Sequence, residues 1–185
     1  MFLVGAYLFS GDNLEAYLGG RRDAALKALS EISPDDIRAK GRNAVLRDLR
    51  DRFAVPQTTL HVDDAYFQAE RALKPDELEA IGARPEDSEK FKALSIVIPF
   101  SGDEHLLTCT PNIYSANQPQ ADVADGKVTV TYFINEVEEM QLENNFKRLV
   151  ALVERTLEVT QWQAMGHNEK LTDALSAALA ERLGA

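Results

Sequence analysis

The last quarter of the chain reads as helix almost throughout, and no other feature limits the possible folds as strongly. Between Val137 and Leu183, the apolar residues Leu142, Phe146, Leu149, Val150, Val153 and Leu157 recur at three- and four-residue steps, and Leu171, Ala174, Leu175, Ala178 and Leu179 form a further stripe. Gly166 interrupts the pattern and Asn168 has a capping side chain, so segment 137–183 is expected to be one kinked rod or a helical hairpin that projects or folds back. A helix of about 28 residues spans roughly 42 Å, more than a small domain needs to cover its own core. The stripe therefore predicts a protein partner, or a homo-oligomer joined through the C-terminal helices.

Strands precede it. In Lys127–Asn135, Val128, Val130, Tyr132 and Ile134 alternate with Thr129, Thr131 and Phe133, the period of a strand with two different faces. From Ala93 onward, Ile96, Ile98 and Phe100 share one face and Val97 takes the other, while Pro99 argues for an edge or a bulge. Ser101-Gly102-Asp103-Glu104 should turn the chain into a returning strand, His105–Thr110. Thr58–Val62 is a further strand, and the apolar run Met1–Phe9 reads as a buried one. Ala65–Lys92 has no sustained period and reads as a loop with a helical turn at Pro75–Ile81.

Between these lie short helices. Gly19-Gly20 is expected to break the chain before a helix carrying Ala25, Leu26, Leu29 and Ile32 on one face. Ser33-Pro34 restarts it with a cap, a proline at the first helical position and Asp35-Asp36 in the first turn. A helix over Gly41–Phe53 buries Leu46, Leu49 and Phe53. The expected fold is one α+β domain over residues 1–185: a small antiparallel sheet of three to five strands, short N-terminal helices and the long C-terminal helical segment.

With 45% apolar residues the chain can bury a core unaided. Cys109 is the only cysteine, which suits a reducing, cytoplasmic setting. The opening apolar run lacks a basic flank and a cleavage pattern, and no window of about 20 residues is apolar enough to span a membrane. A net charge of −10 argues against direct nucleic-acid binding, which draws on Lys and Arg. The acidity is uneven, however: residues 1–56 hold 9 Lys and Arg against 8 Asp and Glu, which leaves the N-terminal third able to meet an anion.

Several groups have the right residue types for chemistry. At an expected helix start, Gly20, Arg21 and Arg22 would offer free N–H groups and two guanidiniums to a phosphate, although the spacing is not that of a P-loop. His61-Val62-Asp63-Asp64 and Asp103-Glu104-His105 would bring imidazoles and carboxylates together for a divalent metal if their strands were neighbours. Asp125-Gly126-Lys127 has the shape of a nuclease Asp-x-Lys end but fits a hairpin turn better. His105 and Cys109 on a straight strand would lie about 13 Å apart, too far for a dyad, so Cys109 reads as core. Trp162 can stack a base or anchor a partner, though core packing is the commoner role. Phe9-Ser10-Gly11-Asp12 recurs as Phe100-Ser101-Gly102-Asp103, read as two similar strand-end turns or as paired backbone nests facing one ligand.

The order Ser95-Ile96-Val97-Ile98-Pro99-Phe100-Ser101-Gly102-Asp103, Thr110-Pro111, Gly126-Lys127-Val128-Thr129-Val130-Thr131-Tyr132 and a long Trp-containing helix resembles the N-terminal region of an uncharacterised bacterial family. Its longer members carry a nuclease-like domain after the helices. The resemblance covers about residues 95–183 and implies a sensing or assembly module in defence against phage, with no functional residue to transfer. The chain departs from that pattern by stopping at Leu183-Gly184-Ala185, as a fragment or a stand-alone version would.

The leading expectation is a non-catalytic binding, oligomerisation or regulatory module, with no catalytic residue and no cofactor assigned. The alternatives are a sensor domain for a small anionic, nucleotide-like ligand and a metal-dependent hydrolase built on His61 and His105.

Overall fold

The computed structural model describes residues 1–112 and 118–184. Among them, six strands form one antiparallel sheet: β1 (Phe2–Val4), β2 (Thr59–Leu60), β3 (Tyr66–Ala72), β4 (Phe91–Ser101), β5 (Asp122–Ala124) and β6 (Lys127–Asn135). The helices are α1 (Leu14–Ser30), α2 (Pro34–Lys40), α3 (Arg42–Phe53), α4 (Pro75–Ala80), α5 (His105–Thr108), α6 (Glu136–Glu139) and α7 (Leu142–Leu183). The α+β class is as the sequence predicts.

The sheet is built on β4 and β6, which pair from Phe91↔Asn135 to Pro99↔Lys127. Each outer position holds two short strands in tandem, β1 and β5 beside β6, and β3 and β2 beside β4. Six strands thus fill four places, one strand more than the upper bound expected. Alternation works as read: Leu94, Ile96, Ile98 and Phe100 join Val128, Val130, Tyr132 and Ile134 in the main core, while Ala93 and Phe133 meet Leu73 and Leu78 on the opposite face.

Pro99 needs a different account from the expected edge, because β4 is central. Its carbonyl accepts from the His61 N–H, so its ring nitrogen faces the same neighbour. There the 3-10 turn Val62–Asp64 separates β2 from β3, and the missing donor falls in that gap. Strand β3 was not legible as a strand because all its residues are exposed and show no alternation. It exists through its pairing with β4.

The expected return strand His105–Thr110 is instead the single turn α5. Leu106 and Leu107 are adjacent and both fully buried, which a strand with one solvated face does not allow. Asp103 starts the turn by accepting from the His105 N–H. The N-terminal strand is likewise shorter than expected: β1 is a partly exposed edge strand, and the buried residues of the run are Leu8 and Phe9 beyond it.

Helix α1 begins at the Asn13 cap and passes through Gly19-Gly20 without a break. The arithmetic favours continuity. Each mid-helix glycine costs about 1 kcal/mol, whereas burying Leu14, Leu18 and Leu29 contributes about 1.5–3 kcal/mol apiece. Helix α2 has the predicted Ser33 cap and first-turn proline. In α3, Val45 and Leu49 are buried, while Leu46 and Phe53 are only partly so.

Helix α7 runs for 42 residues, roughly 63 Å, without a break at Gly166. It is neither a hairpin nor a projecting rod. Its first half lays Leu149, Val150, Val153 and Leu157 on the sheet, and its second half lays Leu171, Leu175 and Leu179 against Ala25, Leu29, Ile37, Val45 and Leu49 of α1–α3. Asn168 caps nothing in α7. Its side chain exchanges two hydrogen bonds with the Val55 backbone and fixes the end of α3 to the long helix. No helix among the described residues is long and apolar enough to cross a membrane.

Candidate functional site

Continuity of α1 changes the meaning of Gly20, Arg21 and Arg22. They lie beyond the first turn, so their N–H groups belong to the helix ladder and no helix start faces an anion there. The two arginines also part company. Arg21 donates to the carbonyls of Arg52, Phe53 and Ala54, closing the C-terminus of α3. Arg22 points elsewhere, with a loose, exposed contact to Asp23 at 3.5 Å.

Arg22 lines a groove of about 560 Å3 between α1 and α7. On α1 the lining residues Glu15, Leu18, Gly19 and Arg22 follow helical steps of three and four. On α7, Trp162, Gly166 and Lys170 are spaced by four. A Cβ placed on Gly19 or Gly166 would meet nothing within 4 Å, so the two glycines leave open the space between the helices. Trp162 is 75% exposed and therefore outside the core. Beside it, His167 is held below its ordinary titration range by burial and by Arg22, Arg21 and Lys170, which keeps it neutral at pH 7. Glu15 and Glu169 also line the groove, so its cations are local features rather than one face of a uniform field.

The strands that carry the sequence-predicted histidine and aspartate motifs are neighbours, β2 pairing with the end of β4, Thr59 opposite Ser101. Their side chains pair separately, His105 with Asp103 and His61 with Ser101. Asp103, with its side chain only 10% exposed, accepts from the Tyr17 hydroxyl at 2.5 Å, from the His105 N–H at 3.0 Å and from His105 Nδ1 at 2.8 Å. Burial opposes its ionisation, yet these donors outweigh it and lower its pKa, so the carboxylate is acceptor-only and Nδ1 carries the proton. The His105 ring stacks on Tyr17, centroids 4.2 Å apart and planes within 7°. Burial and the Asp103 contact push the Tyr17 phenol upward. This cluster joins α1 to the turn after β4, and Tyr17, Asp103 and His105 line a shallow recess there.

Gly102 is part of that construction. Its φ is +103°, and a Cβ would lie 2.1 Å from the Gln57 carbonyl oxygen, so no other residue fits. On the far side, His61 Nε2 meets Ser101 Oγ at 3.1 Å in an exposed pair. No group of three His, Cys, Asp or Glu side chains arranged to hold a metal ion is found among the described residues.

Asp125 and Gly126 both have positive φ and join β5 to β6, which is the two-residue hairpin turn and not a nuclease strand end. Cys109 is buried, and burial raises its pKa, but it follows α5 and is not in a strand. The repeated Phe-Ser-Gly-Asp turns both bound the α5 segment: Gly11 and Asp12 bond to Thr108 and Thr110, while Asp103 bonds to His105. Sequence reasoning missed Tyr17 and Lys170. The four-residue spacing of Trp162, Gly166 and Lys170 was the available signal for the latter.

Fold and grooves together define an α+β domain in which one long helix spans a sheet core and a helical core. No family model matches the chain, and neither a curated protein nor a solved structure shows significant similarity to it.

Proposed function

We propose that this protein is a non-catalytic sensor module that holds a small nucleotide-like anion in the α1–α7 groove. The carrying observation is that the solvent-facing Trp162 lines the same groove as the cations Arg22 and Lys170. An indole so exposed is free to stack on a base, an interaction worth about 1–3 kcal/mol in nucleic-acid sites. Arg22 and Lys170 supply charge-assisted donors for a phosphate. The groove's volume falls within the usual range for small-molecule sites. A regulatory role beside a nuclease-like domain, as the resemblance over residues 95–183 implies, would use such a sensor.

Self-association through the C-terminal helices loses its original support. The apolar stripe from Leu142 to Leu179 is covered within the chain by the sheet and by α1–α3. A partner would have to use another surface.

Trp162 is the only tryptophan, so its fluorescence reports on the groove directly. Titration with nucleotides should quench it, and Arg22→Ala should weaken binding roughly tenfold or more, the loss of one charge-assisted hydrogen bond. Arg21→Ala should lower stability while leaving nucleotide affinity unchanged. If no nucleotide alters the emission, the sensor reading is wrong.

A further inference from the structure

A second recess lies elsewhere, between the start of β1, β6 and the first half of α7, and shares no lining residue with the α1–α7 groove. Its volume is about 360 Å3. Leu3, Pro119, Leu149 and Leu152 make it mainly apolar, and Tyr132 and Arg148 are its distinctive polar members. Tyr132 is only 1% exposed, and its hydroxyl has no hydrogen-bond partner among the described residues. That is an unusual state for a buried hydroxyl, since nearly all buried polar groups are paired and an orphan forfeits the bonds it had in water.

The register explains why the hydroxyl is there. Tyr132 lies in β6 opposite Leu94 of β4 and Leu3 of β1, on the face that α7 covers. Its neighbours on that face are aliphatic, so the sheet supplies no acceptor or donor. Burial drives its pKa up to about 12, and the group stays a neutral hydroxyl that can donate or accept. The other nitrogen donors at the recess have partners: the Gln118 amide donates to the Phe9 carbonyl, the Asn145 amide to Met1 Sδ, and the Met1 ammonium pairs with Glu138. Arg148 is exposed, and no ion pair of it occurs among the described residues. A molecule that fills the recess therefore meets an apolar wall, one buried hydroxyl and one guanidinium.

We propose that this recess is a ligand site for a small hydroxylated aromatic carboxylic acid, its ring against the leucines, its hydroxyl paired with Tyr132 and its carboxylate met by Arg148. An apolar body matches the wall, a polar atom that reaches the Tyr132 hydroxyl satisfies the orphan, and an anion suits the cation. This site is independent of the nucleotide reading, and either can fail alone.

Calorimetric titration of the full chain with 4-hydroxyphenylacetate and phenylacetate tests it. The hydroxylated acid should bind roughly tenfold tighter, the value of one recovered hydrogen bond. Tyr132→Phe should erase that preference while leaving the free protein at least as stable as wild type, and Arg148→Ala should weaken both acids. Failure of either acid to bind, or a preference that persists in Tyr132→Phe, overturns the proposal. So does a marked loss of thermal stability in free Tyr132→Phe, which would mean that the hydroxyl already has a partner.

Discussion

The two halves of α7 meet very different surroundings. The first half lies on a sheet whose strands are already cross-linked by the β4–β6 ladder, whereas the second half is packed by three short helices that share no such ladder. Beyond side-chain packing, the helical half is tied to α7 by contacts such as Asn168 to Val55 and Arg182 to the Ile32 carbonyl. One helix thus acts as the spine for a region with its own backbone network and for a region that depends on the spine.

The contrast can be broken most forcefully at Leu175, which is fully buried among α1–α3. Leu175→Ala should cost about 2–5 kcal/mol by denaturant titration. Amide exchange should accelerate in α1–α3 well before β4 and β6. Equal loss of protection in the sheet would show that the two halves unfold as one unit.

Asp103→Asn probes the sheet half. It weakens three hydrogen bonds at a carboxylate nine-tenths buried and should cost about 1–3 kcal/mol. Acid should separate the halves as well. His167 has a lowered folded pKa, so its contribution is complete above its ordinary value of 6.5 and fades as pH falls below it. Asp103 is also lowered, but from 3.8, so its contribution persists until much stronger acid. Thermal melts between pH 7 and pH 5 should therefore loosen the helical half first, and His167→Gln should flatten that slope.

The smallest effect is expected at Gly166, where an added Cβ meets nothing. Gly166→Ala should stabilise α7 by about 1 kcal/mol and, because that methyl enters the groove, weaken nucleotide quenching of Trp162. Unchanged quenching would move the ligand away from this part of the helix.

Much of the fold was legible where burial repeats with a period. Val128 to Ile134, Ile96 to Phe100 and the leucines of α7 declare their elements because one face of each is apolar. Strand β3 was hidden because all its residues are exposed. Helix α5 was hidden because Ser101-Gly102-Asp103-Glu104 reads as a hairpin turn, whereas Asp103 accepts from the His105 N–H and the chain enters a helical turn. Of the residues of the expected anion site, Arg22 lines the α1–α7 groove, Arg21 closes the end of α3 and Gly20 is an interior helical residue.

By itself the sequence determined the class, the strands β4 and β6 and the helical character of the C-terminal segment, since local periodicity fixes these over a few turns. Tertiary structure decided whether glycines break a helix, what covers the apolar stripe and which polar groups meet. Those outcomes depend on partners far away in the chain: α3 and α7 pack along α1 on either side of Gly19-Gly20, Tyr17 reaches Asp103, and the Tyr132 hydroxyl finds no partner among the described residues.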